Sequence, residues 1–387
     1  MSRVAPPLIR DVLEGVRRAE VSVQAAAEGL GLCRSRLYQL FSDYLAAYGR
    51  GRHGDWAPGV SGGDHAPAWP VAVTALLRKR LGSDPPASYS FVASEALRIC
   101  DYRLDRAQVR RWAMANGLTH GKAPRRPQAP VRRWQRSRIG ELWQLDATPH
   151  RWFPPSDTQL PMLNMLDDCS RVFVGSKLYE REILPAYLDF LPAAFLDFGL
   201  PLELYVDYHS FFFTHVPEAL TTLGTALRFY GVSLRYAPTP QAKGKVEREH
   251  HFWQQRLPAY FASEPVSHLP EANTHIAALR LHHNQHETHR ELQMTPAKAW
   301  ADAEANNRSV LRLVPHCPWW PYVWSVQTAT RTGLDGRIPI GAHPVRLEIP
   351  PGSKVVLCHH PSGHYSVLAT GPKAATLPVL LFTNRPK

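Results

Sequence analysis

The chain has 387 residues, too many for one ordinary domain, and its 45 Lys and Arg against 33 Asp and Glu leave a formal net charge of +12. A basic chain of ordinary hydrophobic content most often meets an anionic polymer, and nucleic acid is the commonest one. Five scattered cysteines without a CxxC spacing exclude a disulfide framework and a thiolate zinc site, and a reducing cytoplasm fits them. Arg10, Asp11 and Glu14 break any secretory pattern near the start, and Asp189, Asp197 and Glu203 interrupt the most apolar stretch, so no membrane association is expected.

Residues 8–48 read as helices. From Ser22 onward they have the form of a helix-turn-helix: Ser22 caps a short helix, Gly29 and Gly31 bracket the turn, and Arg34, Arg36 and Gln39 line a second helix whose Leu37 and Leu40 face inward. Such a helix fits a major groove, and a plain helical hairpin is the alternative. A Gly, Pro and His-rich linker over 49–70 leads to a second helical unit over 71–118. Its last helix is capped by Asp105 with Gln108 three residues later, and Arg106, Gln108, Arg110 and Arg111 offer donors to phosphates and base edges. Residues 121–138 carry Lys122, Arg125, Arg126, Arg132, Arg133, Arg136 and Arg138 among prolines and no acid, which suits an extended arm along phosphates.

From Leu142 the pattern changes to strands and helices. A strand over 142–153 precedes a hairpin over 160–179 that turns at Asp167, Asp168, Cys169 and Ser170. Then follow a helix over 184–198, a strand over 202–207, a helix over 217–230, a strand over 233–237, a helix over 240–256 and another around 269–289. Three strands in sequence followed by alternation describe a mixed α/β sheet of the ribonuclease H type. The strand-rich segment 322–381 suggests a small β-barrel, with Trp319, Trp320, Tyr322 and Trp324 as its core at the entry. The fold class is therefore multidomain α+β: helix-turn-helix units at 1–50 and 68–120, a basic linker at 121–138, a ribonuclease H-like core at 139–305 and a barrel at 318–387.

Three carboxylates carry the chemistry. Asp146 lies mid-strand behind apolar neighbours, where a carboxylate is costly without a partner. Asp207 closes an apolar strand at a carboxyl edge, where open α/β sheets place their ligands. Glu247 lies in the helix opened by Pro240, with Lys243 one turn earlier on the same face to hold a phosphate and Lys245 beside it. Carboxylates suit magnesium, and a pair of such ions activates a nucleophile and stabilises a leaving oxygen in phosphodiester chemistry. Asp167 and Asp168 read as turn formers and Glu249 as a surface charge. His282, His283, His286 and His289 fall at helical spacing and read as a solvated or DNA-facing helix rather than a zinc face; His250 and His251 read as DNA-positioning.

Over about 141–300 these segments resemble the DDE transposase and retroviral integrase superfamily, nearest to bacterial insertion-sequence transposases of the ISNCY-like type. The most specific piece is Pro240-Gln241-Ala242-Lys243-Gly244-Lys245-Val246-Glu247-Arg248. Asp146 and Asp207 resemble the metal-binding aspartates and Glu247 the glutamate, with 60 and 39 residues between them. The turn Asp168-Cys169-Ser170-Arg171 resembles a structural one of that superfamily. Two departures are Tyr208-His209 after the second aspartate, where many relatives have Asn-Gly, and the lack of a His-His-Cys-Cys module. The resemblance implies cleavage at mobile-element ends and strand transfer with two Mg2+ ions, Mn2+ substituting. It also implies double-stranded DNA as partner, a homo-oligomer on that DNA, and a place in the bacterial cytoplasm at the nucleoid. Competing readings are a nuclease that cuts without joining and a DNA-binding regulator derived from a transposase.

Overall fold

The structure, a computed structural model, describes residues 5–58, 69–119, 135–214, 221–237, 244–340, 343–373 and 376–384, and the chain divides into two units at Trp69/Pro70. In the first unit, helices α1 (Pro6–Arg17), α2 (Val23–Leu30) and α3 (Arg34–Gly49) enclose Leu13, Ala26, Ala27, Leu30, Leu37, Leu40 and Tyr44. Ser22 caps α2 by accepting from the Ala25 N–H, and Gly31 ends it at φ 65, a left-handed conformation that costs glycine little. Trp56 packs edge-on against Tyr44, whose hydroxyl donates to Glu14 at 2.7 Å.

The second unit opens with α4 (Val71–Leu81), α5 (Tyr89–Cys100) and α6 (Arg106–Ala115). The capping box of α6 forms as its sequence dictates, with Asp105 and Gln108 each accepting from the other's backbone N–H. A central five-stranded sheet follows, built from β1 (Leu142–His150), β2 (Leu160–Asp167), β3 (Phe173–Leu178), β4 (Glu203–Val206) and β5 (Ser233–Tyr236) in the order β3-β2-β1-β4-β5. The first three strands run antiparallel, and β4 and β5 join parallel to β1, which makes the sheet mixed as expected. Between the later strands lie α7 (Leu184–Phe198) and α8 (Thr222–Phe229). Apolar faces of α7, α8 and the sheet meet around Trp143, Leu145, Phe190, Phe195, Leu204 and Val206. Gly175 of β3 has no room for a side chain, since a Cβ there would lie 2.5 Å from the Phe190 ring.

Beyond the sheet come α9 (Gly244–Gln254), α10 (Leu257–Ser263), α11 (Leu269–His286), α12 (Pro296–Ala305) and the single turn α13 (Trp320–Val323). The strands after it are β6 (Val326–Arg331), β7 (Arg337–Ile340), β8 (His343–Arg346), β9 (Lys354–His359), β10 (Tyr365–Leu368) and β11 (Leu380–Thr383). Here the expectation of a barrel needs correction. Among the described residues β11-β10-β9-β6 form an open four-stranded sheet, β7 and β8 pair only with each other, and no sheet closes. Pro339 faces Pro344 across that hairpin, and neither has an N–H to donate to a ladder. The two sheets still share one core of Ile338, Ile340, Leu347, Val355 and Val367. The aromatic cluster expected at the barrel's centre belongs elsewhere: Trp319 and Trp324 are buried in the core of the central sheet, where Trp324 meets Phe195 and stacks on Tyr230.

Candidate active site

The parallel ladder between β1 and β4 pairs Leu142 with Glu203, Trp143 with Leu204 and Gln144 with Tyr205. The same offset carried onward brings Asp207, one residue past β4, level with Asp146 in β1. Alternation along each strand sends Trp143, Leu145, Leu204 and Val206 into the core beneath α7 and α8, so Asp146 and Asp207 stand on the opposite face. Asp146 keeps 20% of its side chain exposed, and Asp207 is exposed with its Oδ1 accepting from the His209 N–H at 3.1 Å. Tyr208 stacks on Tyr236, so this loop turns through an aspartate cap and an aromatic pair rather than through Asn-Gly. Both aspartates act on one phenol: burial pushes Tyr187 upward, its hydrogen bond to Glu182 adds to this, and the negative fields of Asp207 and Asp146 add further.

Helix α9 lies over β1 and β2. Its His250 Nδ1 is 3.9 Å from Asp146 Oδ2, and its Gln254 Nε2 donates to Thr148 Oγ1 at 3.0 Å. Glu247 precedes these two by three and seven residues, which puts it on the same face one turn earlier, and its side chain is exposed. The helix begins at Gly244, so Glu247 falls in its first turn; 238–243, Lys243 included, lie outside the described residues. Among the described residues no three His, Cys, Asp or Glu side chains converge closely enough to hold a metal ion. Asp146 and Asp207 are thus brought level, and α9 is docked beside them, without a closed coordination sphere.

What docks α9 is the hairpin turn. The enclosed Asp168 carboxylate accepts from Lys245 of α9, from Gln144 Nε2 of β1 at 2.6 Å and from the Arg136 backbone N–H at 2.7 Å. Lys245 therefore spends its ammonium on Asp168, and burial pushes its pKa down. Asp167, also buried, accepts from the Gly140 N–H and from the Ser170 N–H and hydroxyl, while burial raises its pKa. Both act as turn formers in the interior. Glu249 overturns its reading as a surface charge: it is 5% exposed, both its oxygens lack a hydrogen-bond partner, and burial pushes its carboxyl well above the ordinary value. It lines a cavity of about 100 Å³ with Arg171, Lys245, Arg248, His283 and His289. The signal missed was spacing, because Val246, Glu249, His250 and Trp253 are all buried and mark one inward stripe of α9.

On the basic helices, Arg106, Arg110 and Arg111 are exposed on α6, while the Gln108 side-chain oxygen is occupied by the cap. Arg34 and Gln39 are exposed on α3, Arg34 donating to Gln24 and the half-buried Arg36 to Gln39 at 2.8 Å. Arg125, Arg126, Arg132 and Arg133 lie outside the described residues. The His-rich helix departs from expectation: His282 and His283 are 8% and 7% exposed, because α11 packs on β3 on one side and meets α5 on another. His283 stacks on Phe173 and bonds Glu287, so it is a core histidine.

No family model matches the chain. It is similar to the transposase for insertion sequence IS1202 of Streptococcus pneumoniae, 34% identical over 144 residues, covering 35% of this chain and 30% of that one. It is also similar to putative transposase y4bF of Sinorhizobium fredii, 26% identical over 304 residues, covering 75% of this chain and 62% of the relative. The chain thus spans less than two thirds of either relative's length. Two solved structures align loosely. One is a simian T-cell lymphotropic virus intasome in complex with PP2A regulatory subunit B56 gamma (TM-score 0.38, 13% identity, 76% of this chain, 100% of that one). The other is the HTLV-2 integrase catalytic core domain in complex with magnesium (TM-score 0.33, 17% identity, 41% of this chain, 99% of that one). By sequence, the chain is similar to these two transposases over 35% and 75% of its length.

Proposed function

We propose that this protein is a DNA transposase that cleaves at the ends of a mobile element and joins the exposed 3′ hydroxyl to target DNA, with Asp146, Asp207 and Glu247 as its catalytic carboxylates. The observation that carries the reading is the strand register that sets Asp207 level with Asp146, beside a helix whose His250 approaches Asp146 and whose previous turn bears Glu247. The order β3-β2-β1-β4-β5 supports a ribonuclease H-like core over 139–305. An all-oxygen set, partly open to solvent, fits Mg2+ or Mn2+, which retain water ligands. Two such ions, when bound, would sharpen the attacking oxygen and stabilise the leaving one. Asp146 and Asp207 would hold the ions from the sheet, and Glu247 would complete the set from α9.

In the first step a water oxygen bonds to phosphorus, the 3′ oxygen departs and takes a proton. In the second that 3′ hydroxyl attacks a target phosphodiester and releases a new 3′ hydroxyl. Residues 1–50 and 68–120 hold the ends through Arg34, Arg36 and Gln39 and through Arg106, Arg110 and Arg111, and 121–138 follow the phosphates. The protein works as a homo-oligomer that pairs two ends. No helix among the described residues is long and apolar enough to cross a membrane.

Asp146→Asn, Asp207→Asn and Glu247→Gln are each expected to lower cleavage by about a thousandfold or more, since lost metal stabilisation is worth several kcal/mol and each ~1.4 kcal/mol is tenfold. Binding to terminal DNA should persist. Full cleavage by any one variant removes that residue from the site. A cut without a joined product would make the protein a nuclease, and binding without cutting in Mg2+ or Mn2+ would make it a regulator.

A further inference from the structure

A seam of buried charge joins the second helical unit to the helices that follow α9. Arg80 of α4 and Glu95 of α5 have fully enclosed side chains and meet at 2.8 Å. From there Arg80 reaches Ser263 of α10 at 2.7 Å and Glu264 just beyond at 2.8 Å, and its guanidinium covers the Tyr260 ring at 4.5 Å. Lys79 adds a second bond to Glu264. A parallel set lies one helix over, where Ser94 of α5 donates to Glu287 and bonds His282 of α11, while Arg256 grips Glu287 with two hydrogen bonds at 2.6 and 2.8 Å. Arg256 ends the segment that leaves α9, and it also lies over Phe91 of α5. At the other end Arg78 of α4 donates to Asn116 at the end of α6 and lies over Trp112 of α6. An unbroken chain of directional contacts therefore runs from the basic helix α6 through α4 and α5 to α10 and α9.

The Arg80–Glu95 pair, fully enclosed, tolerates few geometries, and Glu264, Arg256 and Glu287 around it are half-buried. Sliding the helices would strand a buried guanidinium or carboxylate, so the seam admits essentially one relative placement. A small domain tethered for DNA capture alone needs no such contact, since inter-domain surfaces default to polar and mobile.

We propose that α4–α6 act as a fixed ruler: the Arg80–Glu95–Glu264 and Ser94–Glu287–Arg256 seam sets the position of α6 relative to α9, and so sets which phosphate is cut relative to the sequence that α6 holds. This rests on the transposase reading. The seam residues are positioning residues, since the contacts described for them are with one another and not with Asp146, Asp207 or Glu247.

Two measurements on the full chain test it. In a background with Cys33, Cys100 and Cys317 changed to Ser, nitroxide labels at Met114→Cys on α6 and His251→Cys on α9 report their separation by pulsed electron spin resonance. A single narrow distance distribution without DNA is expected, broadened by the apolar seam variant Arg80→Met with Glu95→Leu. In parallel, unlabelled protein cuts terminal DNA and the cut is mapped to the nucleotide. The seam variant should spread cuts over neighbouring phosphates and lower the yield at the original one by roughly ten- to a hundredfold, the scale of a small misplacement of reacting groups. Should that variant not fold, Lys79→Ala with Ser94→Ala loosens the rim of the same seam and must show the same two effects. A broad distribution in the unaltered protein overturns the proposal, and so does a broadened variant that still cuts at the one original phosphate. A protein with the narrow distribution that cuts no DNA overturns the transposase reading, and the ruler with it.

Discussion

Arg80→Met gives the sharpest energetic test of the seam. The substitution keeps much of the side-chain length and removes the cation, so it deletes hydrogen bonds to Glu95, Ser263 and Glu264 and the contact with the Tyr260 ring together. It leaves the fully enclosed Glu95 carboxylate with Arg98, which is 24% exposed, as its remaining cation. Removing one partner of a buried pair costs about 3–5 kcal/mol, and retention of Arg98 puts this case near ~3 kcal/mol. At about 2.1 cal/mol/K of unfolding entropy per residue, the unit Pro70–Lys387 moves its midpoint by about 1.5 °C per kcal/mol, so a fall of roughly 4–5 °C is expected. Glu95→Leu added to Arg80→Met should restore most of that loss, because an apolar pair of similar volume replaces a buried ion pair at little cost. Thermal unfolding followed by tryptophan fluorescence across the two single variants, the double variant and the parent gives the coupling energy, expected near ~2 kcal/mol. A fall below about 2 °C for Arg80→Met, or a coupling within ~0.5 kcal/mol of zero, would refute the idea that the seam is tightly specified.

Further outcomes follow from other parts of the molecule. Arg106→Ala, Arg110→Ala and Arg111→Ala combined should weaken binding to terminal DNA and reduce the slope of log affinity against log salt by up to about 3, at ~0.9 per phosphate released; an unchanged slope would remove α6 from the DNA. Lys245→Met leaves Asp168 buried with Gln144 and the Arg136 N–H, and urea unfolding should register a loss of about 1–3 kcal/mol. Glu287 is half-buried, which alone would raise its pKa, yet Arg256 and His283 hold it well below its ordinary 4.5. A carboxylate lowered in the folded state stabilises above its unfolded pKa and loses that contribution as pH falls through the folded one. Glu287→Gln should therefore be less stable than the parent at pH 7, with the deficit shrinking as pH drops below 4.5; a deficit independent of pH would show that its charge does not hold the seam.

The central sheet was legible because its elements differ in period. Helix α7 runs over Leu184–Phe198 as its composition predicts, and the hairpin turn sits on Asp167 and Asp168. The cap of α6 was equally plain, since Asp105 and Gln108 are a local pair that needs no tertiary partner. What stayed hidden was tertiary. Nothing in the spacing of His282 and His283 tells that α5 meets the other side of α11, so two histidines that pattern as a solvated face are packed instead. Arg80 and Glu95 look like solvent charges until α10 arrives with Ser263 and Glu264. The barrel failed for a related reason: local strand propensity is readable, but whether the hairpin β7–β8 pairs with β6 or β11 depends on long-range register.

The segment from Lys245 to His250 shows how a strong motif conceals several tasks. From sequence, Glu247 reads as a catalytic carboxylate, Lys245 as a DNA contact and Glu249 as a surface charge, but a helix distributes neighbours around its axis and each meets a different environment. Lys245 closes on the buried Asp168 and ties α9 to the hairpin. Val246 is wholly buried, Arg248 reaches out to Glu291 at 2.6 Å, and Glu249 turns inward to the small cavity lined by Arg171 and His289, with no hydrogen bond to its carboxylate. That leaves Glu247 as the exposed carboxylate on the face that His250 shares with Asp146. Among the described residues of the motif, Glu247 is thus the carboxylate left exposed in the first turn of α9, while Lys245 and Val246 beside it anchor the helix. Residue types alone do not separate these tasks; the partition follows from burial, and the Lys245–Asp168 pair ties the first turn of α9, which carries Glu247, to the hairpin.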